Sequence, residues 1–212
     1  MPFIVFEGLD GSGKSSLMER LEELLKRQGI DYVRTREPGG TLLGEELRHF
    51  LVRTQGEAPT PRAELLLYEA IRAQHVDRLI RPALQNGRWV ICDRYVASSI
   101  AFQAAGRQIS EEWVRTLNDF ATDGVFPDLV VLLDLSVAAA KRRREKRNRE
   151  RGESDDRIES EAEQFHHRVR ESFLEQARSA DAARWLVLDA EAEINQLQML
   201  LEQELKRRDW IK

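Results

Sequence analysis

The chain has 212 residues, with 33 Lys and Arg against 37 Asp and Glu and a formal charge of −4. That length allows one α/β domain or two small ones with a sizeable core, and evenly spread strand and helix signals favour one domain over residues 1–212. The acidic balance gives no long-range field to gather nucleic acid or an anionic membrane, and the single cysteine, Cys92, excludes an internal disulfide and a cysteine-rich metal site.

Met1-Pro2 leads into the first strand without the regions of a signal peptide, and no apolar run is long enough to span a bilayer. A soluble cytoplasmic chain with no membrane partner is expected. Phe3 to Phe6 suit a buried parallel strand, and GLDGSGKS, Gly8 to Ser15, follows at once. It fits the phosphate-loop pattern of Gly, four residues, Gly, Lys and Ser or Thr, with a helical pattern after Lys14. Gly8, Gly11 and Gly13 permit a tight turn that aims N–H groups inward, making with the helix N-terminus a concave polyphosphate site. The expected ligand is ATP or another nucleoside triphosphate, held by Gly8, Leu9, Asp10, Gly11, Ser12, Gly13, Lys14, Ser15 and Ser16. Lys14 would reach the β and γ phosphates, and Ser15 would ligate Mg2+.

Leu17, Leu21, Leu24 and Leu25 recur at helical spacing, Gly29 stops that helix, and Tyr32-Val33 opens an extended segment. Pro38-Gly39-Gly40 marks a loop, and Leu43, Leu47 and Leu51 line the next helix. Ala63 to about Ile80 reads as one long helix that Pro82 kinks or restarts. Trp89 to Cys92 is a third strand, with Asp93-Arg94 at its C-terminal end, where open parallel sheets bind ligands. Ser110 reads as an N-cap, Leu129 to Leu133 as a fourth strand and Trp185 to Leu188 as a fifth. Between the last two come a charged helix, a loop around Gly152 and a helix carrying Ile158, Ala162, Phe165, Val169 and Phe173 on one side. A last helix carries Ile194, Leu197, Leu201 and Leu205. The pattern predicts an α/β fold of the P-loop NTPase kind, a five-stranded parallel sheet with helices on both faces.

A phosphate loop alone does not separate kinases from GTPases or motors. Tyr68, Arg72 and His75, at i, i+4 and i+7, share one helix face, where a ring can stack on a base and a guanidinium can bond its edge. Asp93 and Arg94 point to opposite sides, suiting Mg2+ held through water and a phosphate respectively. Lys141 to Arg151 holds eight Lys or Arg against Glu145 and Glu150, which suits a solvated helix, a nucleic-acid patch or a source of cations for phosphoryl transfer. The acidic balance argues against nucleic acid as a partner.

GLDGSGKS, Arg36-Glu37-Pro38-Gly39-Gly40-Thr41, the run Tyr68 to His75, Asp93-Arg94-Tyr95 with Ser98-Ser99 and Phe102-Gln103, and Asp156-Arg157-Ile158-Glu159 together resemble thymidylate kinases over nearly the whole chain. The resemblance implies a nucleoside monophosphate kinase-like fold, a homodimer, and transfer of the ATP γ-phosphoryl group to dTMP with Mg2+, giving dTDP and ADP for dTTP synthesis. It implies that Arg48 and Arg94 grip the dTMP phosphate, Tyr68 stacks on thymine and Arg72 bonds its carbonyl edge. Asp10 would sit near the sugar 3′-hydroxyl, Ser98 and Gln103 would line the base and sugar pocket, and Glu37 would lie close by. Gly11 after Asp10 matches the subgroup whose transition-state arginine lies in a lid, here about 141–157, with Arg147, Arg149 and Arg151 as candidates. Tyr68 stands where Phe is more usual, Phe102 where Tyr is common and Ala97 where Asp is frequent. The rivals are a kinase for another nucleotide or nucleoside and a P-loop regulator or nucleic-acid-binding protein that holds ATP without turnover.

Overall fold

The computed structural model describes residues 1–178 and 182–212. Strands β1 (Phe3–Glu7), β2 (Tyr32–Arg36), β3 (Trp89–Asp93), β4 (Leu129–Asp134) and β5 (Trp185–Asp189) form one parallel sheet in the order β2-β3-β1-β4-β5. Successive side chains on a strand face opposite ways, and that alternation builds two cores. Ile4, Phe6, Ile91, Leu129, Val131 and Leu133 join helices α1 (Lys14–Arg27), α7 (Val137–Arg151), α8 (Glu163–Ala177) and α9 (Ile194–Arg207). Phe3, Val5, Val90 and Cys92 join Val76, Ile80 and Ala83 on the other face. β1, β3 and β4 are covered on both sides and read as unbroken apolar runs, whereas β2 and β5 are edges with exposed positions. Among the described residues no helix is long and apolar enough to cross a membrane.

Three local expectations change. The long helix is α3 (Pro61–His75), a π-helical turn over Val76–Ile80 and α4 (Arg81–Gln85). Pro82 has no N–H to donate and its ring crowds the carbonyl four residues back, which the wider turn accommodates. Ser110 does precede α6 (Glu111–Thr122), but its side chain makes no capping hydrogen bond. Ile158 is buried, yet it lies before α8 in the connection from α7, so its place in the helical stripe was coincidental. Two further helices frame the cleft described below: α2 (Leu42–Val52), capped by the Thr41 hydroxyl on the Gly44 N–H, and α5 (Val96–Ser99), which runs into a π-helix over Ile100–Gly106.

Candidate active site

The loop after β1 turns at Gly8, where φ is 133° and a Cβ would lie 2.5 Å from the Leu133 carbonyl oxygen, so only glycine fits. Lys14, at the start of α1, folds back into the loop and donates to the carbonyls of Gly8 and Leu9 at 3.1 and 3.3 Å. Its Nζ lies 3.8 Å from Asp10 and 4.0 Å from Asp93. Burial, followed by the neighbouring Arg94 charge, lowers the Lys14 ammonium from its ordinary value. Ser15 and Ser16 stand exposed in the first turn of α1. Among the described residues Asp93 Oδ1 and the Ser12 hydroxyl have no hydrogen-bond partner although both are buried, and Asp93 lines an open groove together with Ser15.

Arg94 leaves β3 with φ at 71°, a left-handed conformation that a side chain takes only when its surroundings impose it. Glu7, fully buried at the end of β1, imposes it by accepting from the N–H groups of Tyr95 and Ser98 at 2.9 and 3.2 Å and from the Ser98 hydroxyl at 2.6 Å. The turn aims Arg94 Nη2 at Asp10 Oδ1, 2.9 Å away, and lays the guanidinium 4.9 Å over the Phe102 ring. Burial opposes ionisation of Asp10, but Arg94 and Lys14 hold its carboxyl well below the usual carboxylate range.

Burial pushes Glu7 up from 4.5 to about 7, against the opposing pull of Arg94 and its hydrogen bonds. The folded chain therefore binds this proton more tightly than the unfolded one. Glu7's contribution to stability is full below about pH 4.5 and is lost as pH rises through about 7. Glu7→Gln can accept both N–H bonds at its oxygen while removing the titration. Its melting temperature is expected to gain on wild type as pH is raised from about 5 to about 8, and a difference that stays flat over that range would refute the assignment.

Beside the loop lies a cleft whose walls include Asp10, Glu37, Arg48, Tyr68, Arg72, Arg94, Ser98 and Gln103, closed by Val52, Phe102 and Ile158. The cleft therefore gathers the acceptor residues expected from sequence. Arg48, on α2, donates to the Pro38 carbonyl at 2.8 Å. Tyr68 is half-buried, and burial followed by the Glu64 charge raises its phenol. Arg72 is almost wholly buried and is gripped from behind. Its Nε and Nη2 meet Glu37 at 2.9 and 2.7 Å, and its Nη1 meets Glu69 and Ser99 at 2.9 Å each and also Asn118. Burial would raise the Glu37 carboxyl, but Arg72 and the bond from His75 hold it below its ordinary value.

His75 does not reach the cleft. It bridges Glu37 at 3.0 Å and the Thr35 hydroxyl at 2.7 Å, buttressing the Glu37 loop. That bridge runs under Gly40, where φ is 77° and a Cβ would fall 2.5 Å from His75 Nε2 and 2.6 Å from Thr35 Oγ1. Gly40→Ala is expected to cost about 2–5 kcal/mol in chemical denaturation, the sum of left-handed strain and overpacking, and a loss below about 1 kcal/mol would show that the bridge yields.

Of the three lid candidates on α7, Arg147 is the one turned toward the loop. It donates to Glu159 at 2.7 Å and lies close enough to Asp10 for each charge to stabilise the other. Arg149 and Arg151 are exposed near the C-terminal end of α7. Arg144, in the same basic run, is buried in a two-pronged pair with Asp155 at 3.0 and 3.2 Å. Part of the charge run is thus consumed inside the fold.

Sequence reasoning missed Glu7, Glu64 and Val52, and it carried Ile158 and Phe102 within the family-like motifs without giving either a place as a wall of the cleft. A signal existed for Glu7, a carboxylate ending an otherwise apolar buried strand. None existed for Glu64, whose partners lie 39, 43 and 93 residues away in the chain.

The family model described as thymidylate kinase matches residues 6–200. A thymidylate kinase of Bdellovibrio bacteriovorus is 63% identical over 190 residues, covering 90% of this chain and 88% of that protein. One from Desulfovibrio desulfuricans is 44% identical, covering 97% of each. The crystal structure of thymidylate kinase from Ehrlichia chaffeensis superposes with a TM-score of 0.75 at 31% identity, covering 96% of this chain and 98% of that one. With its phosphate loop, its adjoining cleft and these relatives, the chain belongs to the thymidylate kinase family.

Proposed function

We propose that this site transfers the γ-phosphoryl group of ATP to the phosphate of dTMP, giving ADP and dTDP in dTTP synthesis. The observation that carries this is the 2.9 Å contact between Arg94 and Asp10, which joins the donor loop to the acceptor cleft. A monophosphate gripped by Arg94 and Arg48 would face the γ-phosphate that Lys14 and the loop N–H groups hold. Phosphoryl transfer asks mainly for in-line placement and for cations around the spreading charge.

Tyr68 stacks on thymine, Arg72 bonds its carbonyl edge, and Ser98 and Gln103 line the base and sugar pocket. Asp10 takes the neighbourhood of the sugar 3′-hydroxyl, and Glu37 fixes Arg72. Guanidinium is donor-only, so cytosine's amino group would leave donors facing donors, while uracil lacks only a methyl worth about 1–3 kcal/mol. Mg2+ fits Ser15 together with Asp93, whose buried Oδ1 has no hydrogen-bond partner among the described residues. When bound, Mg2+ supplies charge neutralisation on the β and γ phosphates. Arg147 is the lid arginine best placed to help, from a lid at about 141–157 within one kinase domain spanning 1–212; Arg149 and Arg151 are the alternatives.

The active species is a cytoplasmic homodimer. The large exposed apolar residues Leu66 on α3 and Trp113 and Phe120 on one side of α6 support a covered face, and the lone buried thiol of Cys92 suits a reducing compartment.

Coupled ADP release with ATP and Mg2+ tests the function against dTMP, dUMP, dCMP and no acceptor. The expected order is dTMP first, dUMP a weaker second and dCMP far behind. ADP release independent of acceptor, or a preference for dCMP, overturns it.

A further inference from the structure

Glu64 lies in the first turn of α3 with no exposed surface, outside the residues assigned to either substrate. Its carboxylate accepts from Gln103 Nε2 at 3.0 Å, from Arg107 at 3.1 Å on each oxygen, and from Arg157 Nη2 at 2.6 Å. Burial alone would raise this carboxyl, but the bonds from Arg107 and Gln103 keep it below its ordinary value and so ionised.

These partners belong to different parts of the machine. Gln103 is a wall of the acceptor cleft. Arg157 belongs to the connection after α7, and it is also fastened to the end of α2 through the carbonyls of Leu51 at 2.8 Å and Val52 at 3.2 Å. The residues around Arg157 form one tight turn, in which Asp156 Oδ1 accepts from the N–H groups of Ile158 and Glu159 at 2.8 Å each and Glu159 accepts from the Asp156 N–H at 3.1 Å. Ile158 roofs the acceptor cleft, and Glu159 holds Arg147 toward the donor loop. A continuous chain of contacts therefore runs from the cleft through Gln103, Glu64 and Arg157 to the lid turn and Arg147. Local fixation of the lid would not require its anchor to share a carboxylate with a cleft side chain.

We propose that Glu64 is a positioning residue that couples the two sites, so that filling the acceptor cleft and docking the lid over the bound triphosphate strengthen one another. The proposal rests on the cleft being the dTMP site. Such coupling is reciprocal and appears as a ratio of affinities, which a simple loss of stability does not change.

The test is the affinity for a non-hydrolysable ATP analogue with Mg2+, measured by calorimetry with and without saturating dTMP. Wild type is expected to bind the analogue on the order of tenfold more tightly when dTMP is present. E64Q keeps the shape but removes the charge facing two guanidiniums, and its ratio is expected to fall to within about twofold of one. R157Q cuts the same link at its more exposed end, with the same expected result, and serves where E64Q does not fold. E161Q removes the 2.5 Å pair with Arg107 but leaves the line from Gln103 to Arg157 intact, and it is expected to keep the wild-type ratio. Retention of the full ratio in folded E64Q or R157Q, or a wild type that binds both ligands without coupling, overturns the proposal. A wild type that does not bind dTMP overturns the acceptor assignment first and the coupling with it.

Discussion

Replacing Lys14 with Met is expected to lower kcat by about a thousandfold while leaving dTMP affinity within about threefold of wild type. The methionine fills similar space in the loop, so the substitution chiefly removes a charge. In the structure that charge is desolvated and bonded to the Gly8 and Leu9 carbonyls, with Asp10 and Asp93 near it, so it is fixed before any phosphate arrives. A preorganised cation gains strength as transferring charge develops without first having to be oriented. Single-turnover transfer separates this effect from product release, and calorimetry with dTMP checks that the acceptor side is intact. A kcat within tenfold of wild type would show that the lid arginines or Arg94 carry the phosphate charge and that Lys14 is an internal strut of the loop.

The largest expected effect on stability comes from Arg72→Met. Arg72 compensates two buried carboxylates, Glu37 and Glu69, while Ser99 and Asn118 occupy further donors. Removing the guanidinium leaves two acids facing one another in a dry site, and breaking a buried pair in this way costs about 3–5 kcal/mol. For a chain of this length that is a fall in melting temperature of about 6–20 °C. Arg72→Lys should recover only part of the loss, because a point charge cannot fork across both carboxylates. Selectivity for dTMP over dCMP in whatever folds should fall as well. Unfolding within about 1 kcal/mol of wild type would mean that the carboxylates protonate and pack without their partner.

The parts of this molecule written in short stretches of chain were the parts legible in its sequence. The apolar run of β1, the glycine spacing of the loop and the leucine period of α1 are local patterns, and each falls where expected. The strand tip at Asp93 and Arg94 was legible for the same reason, since position on a parallel strand fixes which end meets a ligand. The face shared by Tyr68, Arg72 and His75 was only half legible. Helical spacing put them on one side, but nothing in the spacing showed that Glu37 and Thr35 would draw His75 under the loop and away from the cleft. The π-helix over Ile100–Gly106 was illegible in principle, because a pattern read at 3.6 residues per turn has no term for a wider one. That helix carries Phe102 and Gln103 into the cleft wall. Tertiary closure, which brings Glu64 to Arg157 across 93 positions, leaves no local trace at all.

The order of the sheet also governs how the chain comes into being. β1 is made first but sits in the middle, between β3 and β4, and even its first N–H, on Phe3, waits for the Asp128 carboxylate 2.8 Å away. At ordinary rates of synthesis, about 5–20 residues per second, the interval between Glu7 and Leu129 leaves this apolar strand first unpaired and then paired on one side only for roughly 6–24 s in all. During that time its apolar backbone edge is open to pairing with other chains. The phosphate loop inherits the same delay, because Gly8 turns against the carbonyl of Leu133. A product cut short before β4 would therefore carry the entire nucleotide motif in its sequence and yet lack the Leu133 carbonyl against which Gly8 turns, so possession of the motif and possession of the finished loop are separate events in the life of the chain.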